Sequence, residues 1–153
     1  MEPGLLVSYY EGRWSKVPDF SSMTPIRQRI AAAIDVSCRQ RPEYYAPRYL
    51  GFIRIPRDGT YTFILSSDDG SWLRLGGAMS VNHDGPHGTS DKSGRVFRRS
   101  GIYPLELSYF QASGGQALGL WIEGPATPEH IVPPGMLFHG KGAKCPLVLF
   151  GFL

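Results

Sequence analysis

The chain predicts an all-β fold, an antiparallel β-sandwich or barrel, on three observations. Short apolar runs, several of them alternating with period two, recur between turn signals along the chain. Its 153 residues include 19 Gly and 13 Pro, which favours frequent turns and disfavours long helices. No segment carries the periodicity of a long amphipathic helix, so sheet must pack on sheet. A single domain is expected at this length, and such a chain buries about 68–70% of its unfolded surface.

Leu5 to Tyr10 reads as the first strand, closed by Glu11-Gly12. Trp14 and Phe20 bracket a Pro-containing loop. Ile30 to Ile34 fits a helical turn, whereas Ile34 to Ser37 alternates like a strand, and so short a run leaves both open. Arg39, Arg41, Pro42, Tyr44, Tyr45 and Pro47 make a basic, aromatic loop. Tyr49 to Ile55 is a strand, and Asp58-Gly59 signals a hairpin into Tyr61–Leu65. Trp72–Leu75 follows, then Met79–Val81 and a long polar loop, Asn82 to Gly88. Arg95 to Arg98 is a short strand. Ile102–Phe110 and Ala117–Ile122 are strands separated by Ser113-Gly114-Gly115. Pro125 to Pro134 reads as loop, and Met136–Phe138 as a short closing segment. Leu105, Leu107 and Tyr109 share one strand face, as do Leu118, Leu120 and Ile122. These two triplets, joined by Tyr61, Phe63 and Leu65, are the predicted core.

Composition excludes several functions. Hydrophobic residues make up 42% and aromatics 12%, which is globular rather than disordered. The formal charge of +3 is mild and the signs are interspersed, so no nucleic-acid partner is expected. The basic tyrosine loop could stack bases but reads as an ordinary packed loop. Neither Cys38 nor Cys145 sits in a Cys-x-x-Cys pair, and the sequence does not tell whether the two pair with each other. Met1-Glu2-Pro3-Gly4 does not open a signal peptide, so the chain is either intracellular or part of a longer exported protein. The apolar stretch from Pro146 is too short to span a membrane, and no membrane insertion is expected. The expected domain is residues 1–140, with 141–153 an unassigned tail.

Chemistry concentrates at Ser66-Ser67-Asp68-Asp69-Gly70-Ser71. The loop reads as turn chemistry or as a cation site, because adjacent carboxylates repel unless a positive charge lies between them. Calcium takes six to eight oxygen ligands. Asp68, Asp69, Asp84 and Asn82 are the candidate metal ligands, with Asp91, Gln111 and the carbonyls around Gly114-Gly115 as further donors. A sugar diol could complete the sphere. Trp72, Tyr103 or Trp121 could stack on the ring's apolar face, although large rings usually serve burial. His83 and His87 stand four apart, but Gly85-Pro86 excludes a regular helix between them, which leaves a transition-metal site weakly supported. Catalysis is the least supported reading. Glycoside cleavage needs two carboxyls flanking one bond, and neighbouring residues of an extended chain point to opposite sides. Neither a Gly-x-Ser-x-Gly elbow nor a phosphate loop opening a helix is present.

The sequence resembles the protective-antigen (PA-fourteen) domain family over about residues 4–139. The resemblance rests on an ordered set: Gly4-Leu5, Tyr9-Tyr10-Glu11-Gly12, Trp14, Pro18-Asp19-Phe20, Gly51-Phe52-Ile53 and Asp58 to Phe63. It continues through Ser66 to Ser71 with Leu73, Asp84-Gly85-Pro86-His87-Gly88, Gly101-Ile102-Tyr103-Pro104, Tyr109-Phe110, Gly114-Gly115, Leu118, Trp121 and Pro133 to Phe138. It implies a β-barrel or sandwich module of the kind appended to bacterial glycoside hydrolases, sulfatases and adhesins. In lectin-type members the paired aspartates are joined by a cis peptide and hold calcium that chelates sugar hydroxyls.

By that resemblance the chain is expected to be a calcium-dependent carbohydrate-binding module of an exported protein. It would act extracellularly, in the periplasm or at the cell surface, as a monomer or one module of a longer chain. Its partner would be a glycan with vicinal hydroxyls. Asp68, Asp69, Trp72, Trp121 and Gln111 are the expected carbohydrate-binding residues, and the isolated domain would not be an enzyme. The alternative is a non-catalytic structural or protein-interaction β-module that binds no sugar.

Overall fold

The structure is a computed structural model that describes residues 1–140; the tail, and with it Cys145, lies outside the described residues. Among the described residues twelve strands build two antiparallel sheets. They are β1 (Glu2–Pro3), β2 (Leu5–Glu11), β3 (Arg27–Ala31), β4 (Tyr45–Ile55), β5 (Gly59–Asp68) and β6 (Ser71–Leu75). β7 (Ala78–His83), β8 (Ser90–Arg98), β9 (Gly101–Tyr109), β10 (Ala117–Gly124), β11 (Thr127–Ile131) and β12 (Leu137–His139) complete the set. The larger sheet has eight strands, with β1-β12-β4-β9-β6-β7 in order and β2 and β3 attached through β4. The smaller runs β11-β10-β5-β8. The sheets form a sandwich and do not close into a barrel.

Every predicted core residue is buried in the observed core, which also takes in Leu5, Val7, Tyr49, Ile53 and Leu73 among others. Leu105, Leu107 and Tyr109 of β9 face Leu118, Leu120 and Ile122 of β10 across the sandwich, with Tyr61, Phe63 and Leu65 beside them, all buried. Alternation decides which residues these are, because one face of each strand must be covered and the other need not be. A second apolar cluster of Tyr10, Val17, Phe20, Ala46 and Phe110 lies on the outer face of the larger sheet, with Trp14 and Trp72 against it.

Several segments differ from expectation. Asp58-Gly59 does not make a hairpin: β4 belongs to the larger sheet and β5 to the smaller, so the turn is a crossing between them. Residues 32–37 are neither helix nor strand; the strand lies earlier, at Arg27–Ala31, paired with β2, and bends follow. Residues 125–134 are not all loop, since Thr127–Ile131 pairs with β10 as an exposed edge. Strands β4 and β8 begin earlier than predicted, at Tyr45 and Ser90. In each case pairing with a neighbouring strand, absent from the local pattern, sets the limits.

Three connections that cross between the sheets meet at one end. They are the β5–β6 link at Asp69-Gly70, the β7–β8 loop and the β9–β10 loop. The register requires this convergence: Ser67 is opposite Ser90, Ser71 is opposite both His83 and Tyr109, and Asp68 is opposite Ala117.

Candidate cation and ligand site

The acidic pair sits where those three crossings converge, and the Asp68–Asp69 peptide bond is cis. Asp69 is 7% exposed, and each of its oxygens accepts a backbone N–H. His87 N donates to Oδ1 at 3.2 Å and Ala112 N to Oδ2 at 2.8 Å. The two later crossings are therefore pinned to the first by one carboxylate. Asp68 is less engaged: Thr89 Oγ1 lies 3.4 Å from its Oδ2. Burial, and then the Asp69 charge, holds its carboxyl above the usual carboxylate range.

Support comes from below. Tyr9 stacks with Tyr45 at 5.8 Å, and Tyr45 meets Tyr109 edge-on at 6.0 Å. Their hydroxyls reach towards this end. Tyr109 donates to Asp68 O at 2.5 Å and Tyr45 to Gln116 Oε1 at 2.5 Å, while Tyr9 Oη accepts from Gln40 N at 3.1 Å. Burial pushes the Tyr109 and Tyr45 phenols well above their ordinary range, so they remain neutral donors. Ser67 and Ser71 bond each other at 2.6 Å across the acidic turn. Gly70 is required by space: a Cβ there would lie 2.6 Å from Gly85 N and 2.7 Å from Asp84 Oδ1.

Gln111 is 1% exposed and pairs with Tyr45 through both backbone groups. Its Nε2 donates to Pro42 O at 3.3 Å and Gly114 O at 3.1 Å. Two carbonyl acceptors fix which end of the amide is nitrogen. Oε1 is left buried with no hydrogen-bond partner, a condition that costs free energy unless a donor or a cation meets it.

The other sequence candidates have different partners. Asp84 Oδ1 accepts from Val17 N at 2.8 Å and Gly85 N at 2.7 Å, and Asn82 Oδ1 accepts from Asp84 N at 3.2 Å. Both therefore organise the β7–β8 loop and its contact with the Trp14–Phe20 segment. Trp72 packs in the outer apolar cluster with the Arg74 guanidinium 4.6 Å from its ring centre. Trp121 lies on the outer face of the smaller sheet over Gly119, four residues along β10 from Ala117, the partner of Asp68. At 3.2–3.4 Å per residue it is roughly 13 Å from the acidic end. Trp121 is not brought to the pair, and Trp72, three residues past Asp69, turns into the outer cluster instead. His83 and His87 do meet, stacked at 4.0 Å, through a turn in which Gly85 has φ +102°. Cys38 is buried against the Tyr49 hydroxyl at 3.6 Å.

Sequence reasoning did not find the Ala112 amide or Thr89. It named the Gly114-Gly115 segment for its carbonyls, and a Cβ at Gly115 would lie 3.2 Å from Asp68 Oδ2. A backbone amide carries no residue signature. Among the described residues no group of three or more His, Cys, Asp or Glu is placed to hold a metal. Carboxylate and amide oxygens suit a hard cation rather than a soft one, and Asp68, Asp69 and the unpartnered Gln111 Oε1 are donors of that kind. Separately, a groove of about 970 Å³ crosses the outer face of the larger sheet beneath the Lys16–Pro25 segment, lined by Trp72, Arg48 and Glu106 among others.

The model of the PA14 domain matches residues 1–127. No curated protein matches the sequence. Among solved structures, the PA14 sugar-binding domain from an RTX adhesin is 16% identical with a TM-score of 0.77, over 92% of this chain and 100% of that one. The A domain of Epithelial Adhesin 6 from Candida glabrata, solved in complex with Galb1-3GlcNAc, is 11% identical with a TM-score of 0.69, over 94% and 89%. An anti-sigma factor domain-containing protein from Clostridium clariflavum is 21% identical with a TM-score of 0.78, over 94% of this chain. The chain spans about half of that protein, 49% of its length.

Proposed function

This chain belongs to the PA14 domain family, and on that premise we propose that it is a carbohydrate-binding module whose site depends on calcium. Asp68, Asp69 and Gln111 would hold the ion. When bound, calcium supplies positive charge between the two carboxylates and coordination positions that vicinal sugar hydroxyls can fill. The observation that carries this reading is the buried, unpartnered Gln111 Oε1, in the crossing whose next amide, Ala112 N, bonds Asp69.

The residues divide the work. Asp69 is an anchor, since both its oxygens already accept amide hydrogens. Asp68, the more open of the two, faces the ligand side with Thr89 and Gly115. Tyr109 holds the Asp68 carbonyl from beneath. We read the module as binding rather than catalytic, because a carboxylate committed to two backbone amides is poorly placed to exchange protons with a substrate. Similarity to a sugar-binding domain of an adhesin and to a glycan complex supports the ligand class and a role outside the cell, as a module of a longer exported protein. Asp84 and Asn82 contribute by shaping the loop that supplies the His87 amide.

A glycan array probed with and without chelator, alongside calorimetric calcium titration, tests this. Wild type should bind calcium and sugar together, and Asp68→Ala should lose both. Glycan binding indifferent to chelator and to Asp68→Ala would overturn the calcium mechanism; absence of any binding would leave a structural module.

A further inference from the structure

Beside the acidic end lies an open pocket of about 520 Å³ lined by Ser37, Arg39, Gln40, Arg41, Pro42 and Gln116. We propose that it receives an anionic substituent, a carboxylate or sulfate, of the bound sugar, so that the module prefers acidic glycans. This deepens the carbohydrate reading and rests on it.

The lining has two cations and no carboxylate. Arg39 Nη1 donates to Val36 O at 3.0 Å, and Arg41 Nη2 to Tyr44 O at 2.5 Å. One N–H of each five-donor fork is used, which orients the guanidinium without exhausting it. Gln116 is oriented likewise: its Oε1 accepts from Tyr45, so its Nε2 is the end that can donate to a ligand. Two of the acids nearby are turned elsewhere. Asp35 Oδ1 accepts from Ser37 N, and Glu43 Oε2 from Gly114 N. Glu11 takes the Tyr9 hydroxyl on one oxygen and stands 3.6 Å from Arg41 Nη1 with the other. That contact, between partly exposed groups, is a weak competitor.

Hydrogen bonds tie the pocket to the crossing that carries the acidic pair's partners. Tyr44 N bonds Ala112 O, Tyr45 and Gln111 exchange both backbone hydrogen bonds, and Gln111 Nε2 reaches Pro42 O. Gly115 abuts Asp68, and the next residue, Gln116, lines the pocket. Sugar hydroxyls held at Asp68 would therefore lie beside the arginines. A planar fork matches a carboxylate or sulfate in two-point contact. A neutral substituent would leave both arginines solvated and gain little.

Glucose, glucuronate and glucose 6-sulfate share a ring and separate the charge from the sugar. Each is titrated into labelled protein, with calcium and with chelator, while the Arg39 and Arg41 Nε–Hε signals are followed by NMR. Glucuronate, glucose 6-sulfate or both should shift these signals and bind at least about tenfold tighter than glucose; which of them does so separates the two sources of charge. Arg39→Gln with Arg41→Gln should erase the preference and leave the calcium heat unchanged. Equal binding of all three sugars, or a preference that survives the double substitution, overturns the proposal while the calcium reading stands. Shifts by the anionic sugars that persist in chelator, with no calcium heat, would keep the pocket and discard the calcium site. No response to any sugar overturns both.

Discussion

Ala112 N lies 2.8 Å from Asp69 Oδ2, joining the β9–β10 crossing to the acidic turn across 43 positions of sequence. With the His87 amide on the other oxygen, Asp69 serves as a brace between loops before it serves any ligand.

Asp69→Ala should therefore cost stability even in chelator. It strands two partly buried amides, and the expected loss is about 1–3 kcal/mol. Urea unfolding monitored by tryptophan fluorescence measures it.

Asp68→Asn should behave in the opposite way. Burial and the Asp69 charge both disfavour its charged form, so removing that charge relieves a cost. In chelator its melting temperature should equal or exceed that of wild type. With millimolar calcium the order should reverse, because only wild type gains from binding.

Gln111→Met tests the orphaned oxygen. Calcium affinity should fall at least about tenfold. Calorimetry on the folded variant is the measurement, and circular dichroism confirms that the Tyr45 pairing persists.

Gly70→Ala places a methyl against the Gly85 backbone at 2.6 Å. Backbone cannot rotate away, so the acidic turn and the β7–β8 loop must separate. The expected destabilisation is about 1–3 kcal/mol. The hydrogen bond from the His87 amide to Asp69 should break, and that amide hydrogen should exchange faster with solvent.

Acid should weaken the β7–β8 loop through His83. Burial, opposed by its bond to Ser90 O and reinforced by the stacked His87, holds the His83 imidazole below its usual range. The unfolded chain then takes up a proton first as pH falls through ~6.5, so stability declines on acidification. In His83→Gln the melting temperature should fall less steeply between about pH 7 and pH 5.

The core was legible because a half-buried strand writes its inner face at every second residue, as Leu105, Leu107 and Tyr109 or Tyr61, Phe63 and Leu65 do. Asp58-Gly59 misled for a related reason: a tight turn looks the same whether the next strand pairs beside the last or crosses to the other sheet. Thr127–Ile131 was hidden because an exposed edge strand needs no apolar face. Trp72 and Trp121 were candidates by residue type; alternation turns Trp72 into the outer cluster of the larger sheet, and register places Trp121 four residues along β10 from the partner of Asp68.

Residue type and order therefore determined by themselves that the chain is a β-sandwich of its family, which strand faces are apolar, and that two neighbouring acids mark one end. Only the tertiary structure decided what surrounds those acids. The Ala112 amide comes from the β9–β10 crossing, the Tyr109 hydroxyl from the end of β9 and the His87 amide from the β7–β8 loop, brought together by strand register across two sheets. Hydrogen bonds and burial depend on distance in space, and the one-dimensional pattern carries no measure of it.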